Sequence, residues 1–129
     1  MLLTLLKCKI HMARLTACEP DYEGSIAIDA KLMQAAGLLP HEQVDVLNAN
    51  NGARLTTYVI EAPAGSGTIA LNGPAGCLAL PGDEVIILAY AHFTPQQAQT
   101  HQPTIILMDE HNNPRLKATP DVAPGSSSD

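Results

Sequence analysis

The stretch QVDVLNANNGARLTTYVI, residues 43–60, decides the fold of this chain. Two runs rich in β-branched and aliphatic residues flank an Asn-Gly pair, and this order is the strongest short-range signal for a β-hairpin. Side chains alternate between the two faces of a strand. The second run is therefore predicted to place Arg54 and Tyr58 on one face and Thr57 on the other.

Period-two patterns extend outward from the hairpin. Residues 6–12 alternate between apolar and polar side chains and predict a strand with Lys9 and His11 on its polar face. Asp29 and Gly37 bracket a short predicted helix as its N-terminal and C-terminal caps. The apolar run 84–90 predicts a fully buried strand, a second short helix begins after Thr94, and residues 104–108 predict the last strand. Six or more short strands with two short helices indicate a mainly-β barrel in a single domain.

Composition narrows the class of protein. The chain has 129 residues, 46% of them apolar but only 3% aromatic, which predicts an aliphatic core. A net charge of −6 with seven Lys and Arg disfavours binding to nucleic acid or to a membrane surface. The apolar N-terminal run is too short for a signal peptide or a membrane span, so we expect a cytoplasmic protein. Three cysteines without a Cys-x-x-Cys pair predict reduced thiols, and the scattered histidines predict no metal site.

A Gly-Ser pair occurs three times, and each copy by default indicates a turn. The first copy, Gly24-Ser25, lies between the basic strand and the capped helix. In that setting, a serine can cut its own peptide bond and become a catalytic carbonyl. The neighbouring Arg54 and Tyr58 fit a pocket with a fixed cation and a phenol, but they are equally ordinary residues of an exposed strand.

With these residues in hand, the chain resembles the aspartate 1-decarboxylase family over about residues 2–108. The matching pieces agree in order and spacing without gaps. They are Lys9-Ile10-His11, Tyr22-x-Gly24-Ser25, Ile28-Asp29, Asn51-Gly52-x-Arg54-x-x-Thr57-Tyr58, Gly65-Ser66-Gly67, Asn72-Gly73 and Pro81-Gly82-Asp83.

The resemblance implies a double-psi β-barrel, which we expect to span residues 1–117. The Pro, Gly and Ser residues that follow predict a disordered tail at 118–129. The resemblance implies a homotetramer with active sites between neighbouring subunits. It also implies self-cleavage between Gly24 and Ser25 into residues 1–24 and 25–129, with Ser25 becoming a covalent pyruvoyl group. The implied reaction converts L-aspartate to β-alanine and CO₂ for pantothenate and coenzyme A synthesis. Whether a maturation factor assists cleavage stays open.

The resemblance also assigns roles to individual residues. Ser25 is the catalytic residue, Tyr58 the proton donor after CO₂ leaves, and Thr57 the donor to the oxyanion during cleavage at Gly24. Arg54 is assigned to a substrate carboxylate, and Lys9 adds positive charge. The remaining implied substrate-binding residues are Thr57, Asn72, Gly73, Pro74 and Ala75.

Several points limit this transfer. The family pattern Asn-Gly-Ala-Ala-Ala-His reads NGPAGC at residues 72–77, and Pro74 has no N–H to donate. Thr57 and Tyr58 face opposite ways on a regular strand, so either a bulge intervenes or they serve different sites in the oligomer. Gly24 is expected to adopt a strained conformation barred to other residues. The alternative functions are a non-catalytic barrel for binding or assembly and a pyruvoyl decarboxylase of another amino acid.

Overall fold

A computed structural model of the protein describes residues 1–117, and the predicted tail at 118–129 lies outside the described residues. Strands dominate this part of the chain. They are β1 (Leu3–Arg14), β2 (Ala17–Glu19), β3 (Ser25–Asp29), β4 (Gln43–Asn48), β5 (Arg54–Ala62), β6 (Ile69–Asn72), β7 (Glu84–Phe93), β8 (Thr104–Met108) and β9 (Pro114–Leu116). The helices are α1 (Ala30–Ala36), α2 (Pro95–Thr100) and a 3-10 helix, Gly73–Leu78.

The sheet closes into a ring because β1 and β2 are successive parts of one segment. The strand order is β2-β6-β3-β5-β4-β7-β1-β8-β9, so β2 lies at one end of the order and β1 lies beside β7 near the other. Backbone hydrogen bonds from Leu15 to Asp83 and from Thr16 to Ile69 carry this segment from the β7 side to the β6 side. With β1 and β2 counted as one position, the barrel is closed by six strand positions, the others being β6, β3, β5, β4 and β7. It includes the parallel pairs β3·β5 and β2·β6.

The barrel interior is filled by aliphatic side chains from all six strand positions. None of the large core residues that are less than 2% exposed is aromatic, and burying each contributes about 1.5–3 kcal/mol. Besides Cys8, this set is Ile10, Ile26, Ile28, Ile69, Leu71, Ile87, Val44, Val46, Val59 and Val85 of the ring, together with Ile106 of the neighbouring β8. The predictions of an aliphatic core and a mainly-β, single-domain chain are confirmed, and the closed ring agrees with the barrel that the resemblance implies.

Asp29 fixes three chain segments at the end of β3. Its Oδ1 accepts from the N–H of Lys31, which caps α1, and from the N–H of Gly65, while Oδ2 accepts from Gly67. Gly37 ends α1 in the left-handed conformation with φ 79°. Both predicted caps of α1 are confirmed. The predicted cap of α2 is also confirmed, since Thr94 and Gln97 form a reciprocal capping box.

Some details differ from the sequence predictions. β7 is not fully buried: its residues alternate between buried and partly exposed, because only one face meets the barrel interior. β8 is not the last strand, since β9 pairs with it. β1 extends beyond the predicted 6–12 segment and contains a register shift between Ile10 and Ala13, where Met12 has φ 62°. The predicted hairpin at Asn51-Gly52 is confirmed, with β4 and β5 antiparallel.

The thiols are free, and Cys8 lies in the core. Burial raises the pKa of Cys8 to about 11, so this thiol is protonated at neutral pH. Within residues 1–117, no three His, Cys, Asp or Glu side chains are grouped so as to hold a metal ion. Over the same residues, no helix is both long and apolar enough to cross a membrane.

Candidate active site

Ser25 begins β3 and is almost completely buried, with 2% of its surface exposed. Its Oγ accepts a hydrogen bond from Nδ2 of Asn72 at 3.1 Å. The two residues are direct partners in the antiparallel pairing of β3 and β6. The hydroxyl oxygen is therefore oriented by an amide donor and shielded from solvent, and its own proton stays available for transfer.

Gly24 is not in a conformation reserved for glycine. Its φ lies outside the left-handed region, and a Cβ built on it would meet no atom within 4 Å. The expectation of a barred, strained conformation at Gly24 is therefore wrong. The chain reversal before β3 is completed earlier, where the N–H of Tyr22 donates to the carbonyl of Glu19.

Gly73 is the glycine in the left-handed region at this site, with φ 72°. Its backbone lies against Gly24: a Cβ on Gly73 would be 2.6 Å from Gly24 Cα and 2.8 Å from Gly24 N. The pair Asn72-Gly73 thus faces the pair Gly24-Ser25 across the β3·β6 edge. Sequence reasoning missed this contact. The only sign of it in the sequence is the pair Asn72-Gly73, which predicts a left-handed residue at 73 but does not predict that Gly24 lies against it.

β5 runs along the other side of β3. The two strands are parallel, with Ile26 opposite Val59. If this register is extended by one residue towards the N-terminus, Tyr58 lies beside Ser25. Extended by two residues, it sets Thr57 beside Gly24. The Gly24-Ser25 bond therefore lies between the segment Thr57-Tyr58 and the segment Asn72-Gly73.

Thr57 and Tyr58 point to opposite faces of β5. The pairing of β4 with β5 runs from Arg54 to Tyr58 without a register shift, so no bulge intervenes. Thr57 is half-buried and lies on the same face as the fully buried Val59, whereas Tyr58 is 40% exposed on the outer face. The bulge alternative is thus excluded.

Arg54 lies on the outer face at the start of β5, four residues before Tyr58. One of its guanidinium nitrogens donates to Asp45 Oδ2 at 3.1 Å, and Thr56 Oγ1 donates to Asp45 Oδ1 at 2.7 Å. The Arg54 side chain is 55% exposed, so most of its donors face solvent. Asp45 is a neighbour of the site that sequence reasoning missed.

Lys9 is not brought to Ser25 within one chain. It lies on β1, opposite Leu88 of β7 and Ile105 of β8. Leu88 in turn lies opposite Asp45, which pairs with Thr56. Lys9 therefore belongs to the row of outward-facing residues that ends near Arg54, and its strand β1 does not pair with β3, the strand of Ser25.

The turn after Asn72 is a 3-10 helix rather than an open loop. Pro74 occupies its first turn, where a missing N–H costs little, and Ala75 packs against the hydrophobic core. Asn72 and Gly73 are buried, whereas Pro74 is exposed. Of the predicted substrate-binding turn, only Asn72 and Gly73 directly contact the Gly24-Ser25 segment in the contacts described above.

Fold and site together define a small closed β-barrel that holds a Gly-Ser pair, with the serine buried, between two polar segments of neighbouring strands. A family model described as Aspartate decarboxylase matches residues 1–115. The chain belongs to the aspartate decarboxylase family, and it is a carboxy-lyase.

Named relatives extend this match over most of the chain. The aspartate 1-decarboxylase of Maricaulis maris is 53% identical over 123 residues, covering 95% of this chain and 100% of that protein. That of Dehalococcoides mccartyi (strain ATCC BAA-2266 / KCTC 15142 / 195) is 57% identical over 108 residues, covering 84% and 87%. A rationally designed protein named mkDPBB_sym_86 is similar in structure with a TM-score of 0.45 and 16% identity, covering 61% of this chain and 91% of that one.

Enzymes of this family carry a covalently bound pyruvoyl group, and the surroundings of Ser25 fit such a group. The keto oxygen of that group would replace the α-nitrogen of Ser25 and could only accept hydrogen bonds. Asn72, the strand partner of Ser25, offers a side-chain amide donor beside this residue. Burial of Ser25 to 2% exposure also keeps bulk water away from a reactive carbonyl.

Proposed function

We propose that this chain cleaves itself between Gly24 and Ser25 and then decarboxylates L-aspartate to β-alanine and CO₂, supplying pantothenate and coenzyme A synthesis. One observation carries the proposal: a buried Ser25 whose Oγ is oriented by Asn72 at 3.1 Å, immediately after a glycine. A buried serine in a structural role needs no glycine before it and no neighbouring Thr-Tyr segment.

Cleavage begins when Ser25 Oγ adds to the carbonyl carbon of Gly24. The C–N bond breaks, the hydroxyl proton passes to the nitrogen of Ser25, and the amide becomes an ester. The hydroxyl of Thr57 donates to the developing oxyanion, a role that the parallel pairing of β5 with β3 supports. Such a donor is worth about 3–4 kcal/mol in enzymes where one has been removed.

The ester then loses its Gly24 side by β-elimination. A proton leaves Cα of residue 25, the Cβ–O bond breaks, and residues 1–24 depart with a free carboxylate. Water replaces the amino group of the dehydroalanine that remains, and ammonia leaves. Residues 25–129 then begin with a pyruvoyl group, which supplies an electron sink for the pair released when the substrate carboxylate leaves as CO₂.

The surrounding side chains divide the remaining work. Arg54 binds a substrate carboxylate through its planar pair of donors, and Lys9 adds a second positive charge for a substrate with two carboxylates. Tyr58, beside Ser25 on the outer face, returns a proton to the carbon that loses CO₂. Asn72, Gly73 and Ala75 orient the substrate through the turn, where Pro74 offers only its carbonyl.

We propose that the protein works in the cytoplasm as a homotetramer with each site shared between neighbouring subunits. In one chain, Lys9 lies on β1 and Ser25 on β3, two strands that do not pair with each other, and a shared site accounts for both residues. The outer face around Tyr58 also exposes Tyr90, which is 44% exposed, and such aromatic surface is typical of subunit interfaces. Cleavage of purified chains without any added protein would show that a maturation factor is dispensable.

Intact-mass measurement of the purified chain, warmed for increasing times, tests the self-cleavage. We expect the 13.6 kDa species to be replaced by two fragments whose masses together equal the precursor plus water minus ammonia. Borohydride should reduce the larger fragment, because a ketone accepts hydride. Ser25→Ala is the control and should stay uncleaved while folding and assembling. Persistence of the full-length wild-type chain alone, with no β-alanine formed from aspartate, would favour the non-catalytic barrel.

A further inference from the structure

The backbone of Gly73 packs directly against the backbone that leads into the Gly24-Ser25 bond. A Cβ on Gly73 would lie 2.6 Å from Gly24 Cα, 2.8 Å from Gly24 N and 3.1 Å from the carbonyl oxygen of Tyr22. Real Cβ atoms essentially never approach another heavy atom closer than 3.0 Å, and the contacted atoms are backbone. A side chain at position 73 therefore has to displace Gly24.

We propose that Gly73 is a positioning residue for self-cleavage, an inference that rests on the function proposed above. Asn72 orients the nucleophile through its hydrogen bond to Ser25 Oγ, and the next residue, Gly73, sets the position of Gly24 by direct contact. One dipeptide thus controls both sides of the bond that breaks. This role differs from the substrate contact that the resemblance assigns to Gly73, because it acts on the precursor before substrate can bind.

A small displacement matters for this reaction. Relieving the clash would move Gly24 by the difference between 2.6 Å and an ordinary contact of at least 3.4 Å. Misplacing reacting atoms by about 1 Å can slow an enzymatic step by about 100-fold. Ser25 stays fixed by its strand pairing with Asn72, so the displacement changes the distance and angle from Oγ to the Gly24 carbonyl.

The rest of the 3-10 helix supports this arrangement. A Cβ on Gly76 would lie 3.0 Å from the Leu71 carbonyl oxygen and 3.2 Å from Pro20 N, so a second glycine packs this helix against the segment before Gly24. The close approach is thus made by residues 73 and 76, whereas Gly24 itself has open space where a Cβ would lie.

Gly73→Ala and Gly67→Ala form a matched pair for the test. Both glycines are in the left-handed region, with φ 72° and 69°, so alanine brings similar backbone strain at each. Only Gly73 adds a clash, because a Cβ on Gly67 meets nothing within 4 Å. Cleavage of freshly purified precursor is followed by intact mass, and hydroxylamine is added in parallel because it captures the ester and reports the first step alone.

We expect Gly67→Ala to cleave within a few-fold of wild type and Gly73→Ala to cleave about 100-fold more slowly, in both assays. Thermal unfolding of each variant in a Ser25→Ala background shows whether the barrel is intact. A folded Gly73→Ala chain that cleaves at the rate of Gly67→Ala would overturn the proposal. An uncleaved wild-type chain would instead overturn the proposed function.

If Gly73→Ala does not fold, Gly76→Ala decides the question. Gly76 has no left-handed φ, and its contacts of 3.0–3.3 Å require neighbours to yield by only a few tenths of an ångström. We expect the folded Gly76→Ala chain to cleave more slowly than Gly67→Ala, because the segment leading to Gly24 is shifted. Equal rates for these two variants would refute control of the bond by this helix.

Discussion

At the scale of single residues, the site contains one group of residues for self-cleavage and another for substrate binding. Asn72 donates to Ser25 Oγ, and Gly73 lies against Gly24, at the edge between β3 and β6. Arg54 lies on the outer face of β5, largely exposed, and donates to Asp45. Because Arg54 pairs with Asp45 and not with the residues around the Gly24-Ser25 bond, a change at Arg54 should leave cleavage intact.

Replacement of Arg54 tests the substrate side. Its pairing with Asp45 is an exposed ion pair worth about 0–1 kcal/mol, so a substrate carboxylate can compete for the guanidinium. We expect Arg54→Ala to mature normally but to raise the KM for aspartate by about 10- to 100-fold, the value of one charged hydrogen-bonding partner. Arg115→Ala, an exposed arginine on β9, is the matched control. An unchanged KM would reopen the identity of the substrate.

At the scale of elements, local chemistry explains which predictions succeed. The hairpin at Asn51-Gly52 and the caps of α1 and α2 depend on residues a few positions apart, so the sequence is sufficient for them. β2 and β9 have three residues each, too few for a period to be visible. Gly-Pro begins turns and 3-10 helices alike, so the sequence after Asn72 does not distinguish the two.

Asp29 is the polar residue that joins these elements most directly. Burial raises its pKa, but the N–H groups of Gly67, Lys31 and Gly65 outweigh burial, so the pKa of Asp29 lies below its ordinary value of 3.8. A lowered pKa means that the ionised form stabilises the fold. This stabilisation is present above the unfolded-state pKa and is lost as pH falls through the folded-state pKa.

Asp29→Asn should therefore lower the free energy of unfolding near neutral pH by about 1–3 kcal/mol, because the amide cannot accept all three N–H groups. The difference from the parent chain should shrink as pH falls below 3.8 and through the lower pKa of Asp29 in the folded chain. Denaturant unfolding across pH, in a Ser25→Ala background, measures both effects. Glu61→Gln removes a charge from an exposed position of β5 and should show no comparable loss. A pH-independent difference would contradict this account of Asp29.

At the scale of the whole molecule, the ring of strands decides which predicted site residues meet. Sequence patterns place Lys9, Arg54 and Ser25 on strands, but strand order and register depend on contacts between residues far apart in the chain. The pairing of Ser25 with Asn72, for example, spans 47 positions. The resemblance therefore lists residues, whereas the barrel shows Ser25 beside Asn72, Gly24 against Gly73, and Lys9 on a strand that does not pair with that of Ser25.

That separation makes a prediction about assembly. If each site takes Ser25 from one subunit and Lys9 from a neighbour, two inactive variants can complement each other. In tetramers assembled at random from equal amounts of Ser25→Ala and Lys9→Ala chains, about a quarter of the sites would combine an intact Ser25 with an intact Lys9. Co-expression of the two chains should therefore restore aspartate decarboxylation to about a quarter of the wild-type rate.

The same variants, purified separately and mixed after assembly, serve as the control. As long as subunits stay in their own tetramers, no site combines the two kinds of chain. Size-exclusion chromatography with light scattering establishes that the co-expressed chains form one oligomer. A site contained in one chain predicts no more than half the residual rate of Lys9→Ala alone, since only those chains keep Ser25. Activity at or below that level, in a verified mixed oligomer, would show that Lys9 does not serve a neighbouring subunit's site.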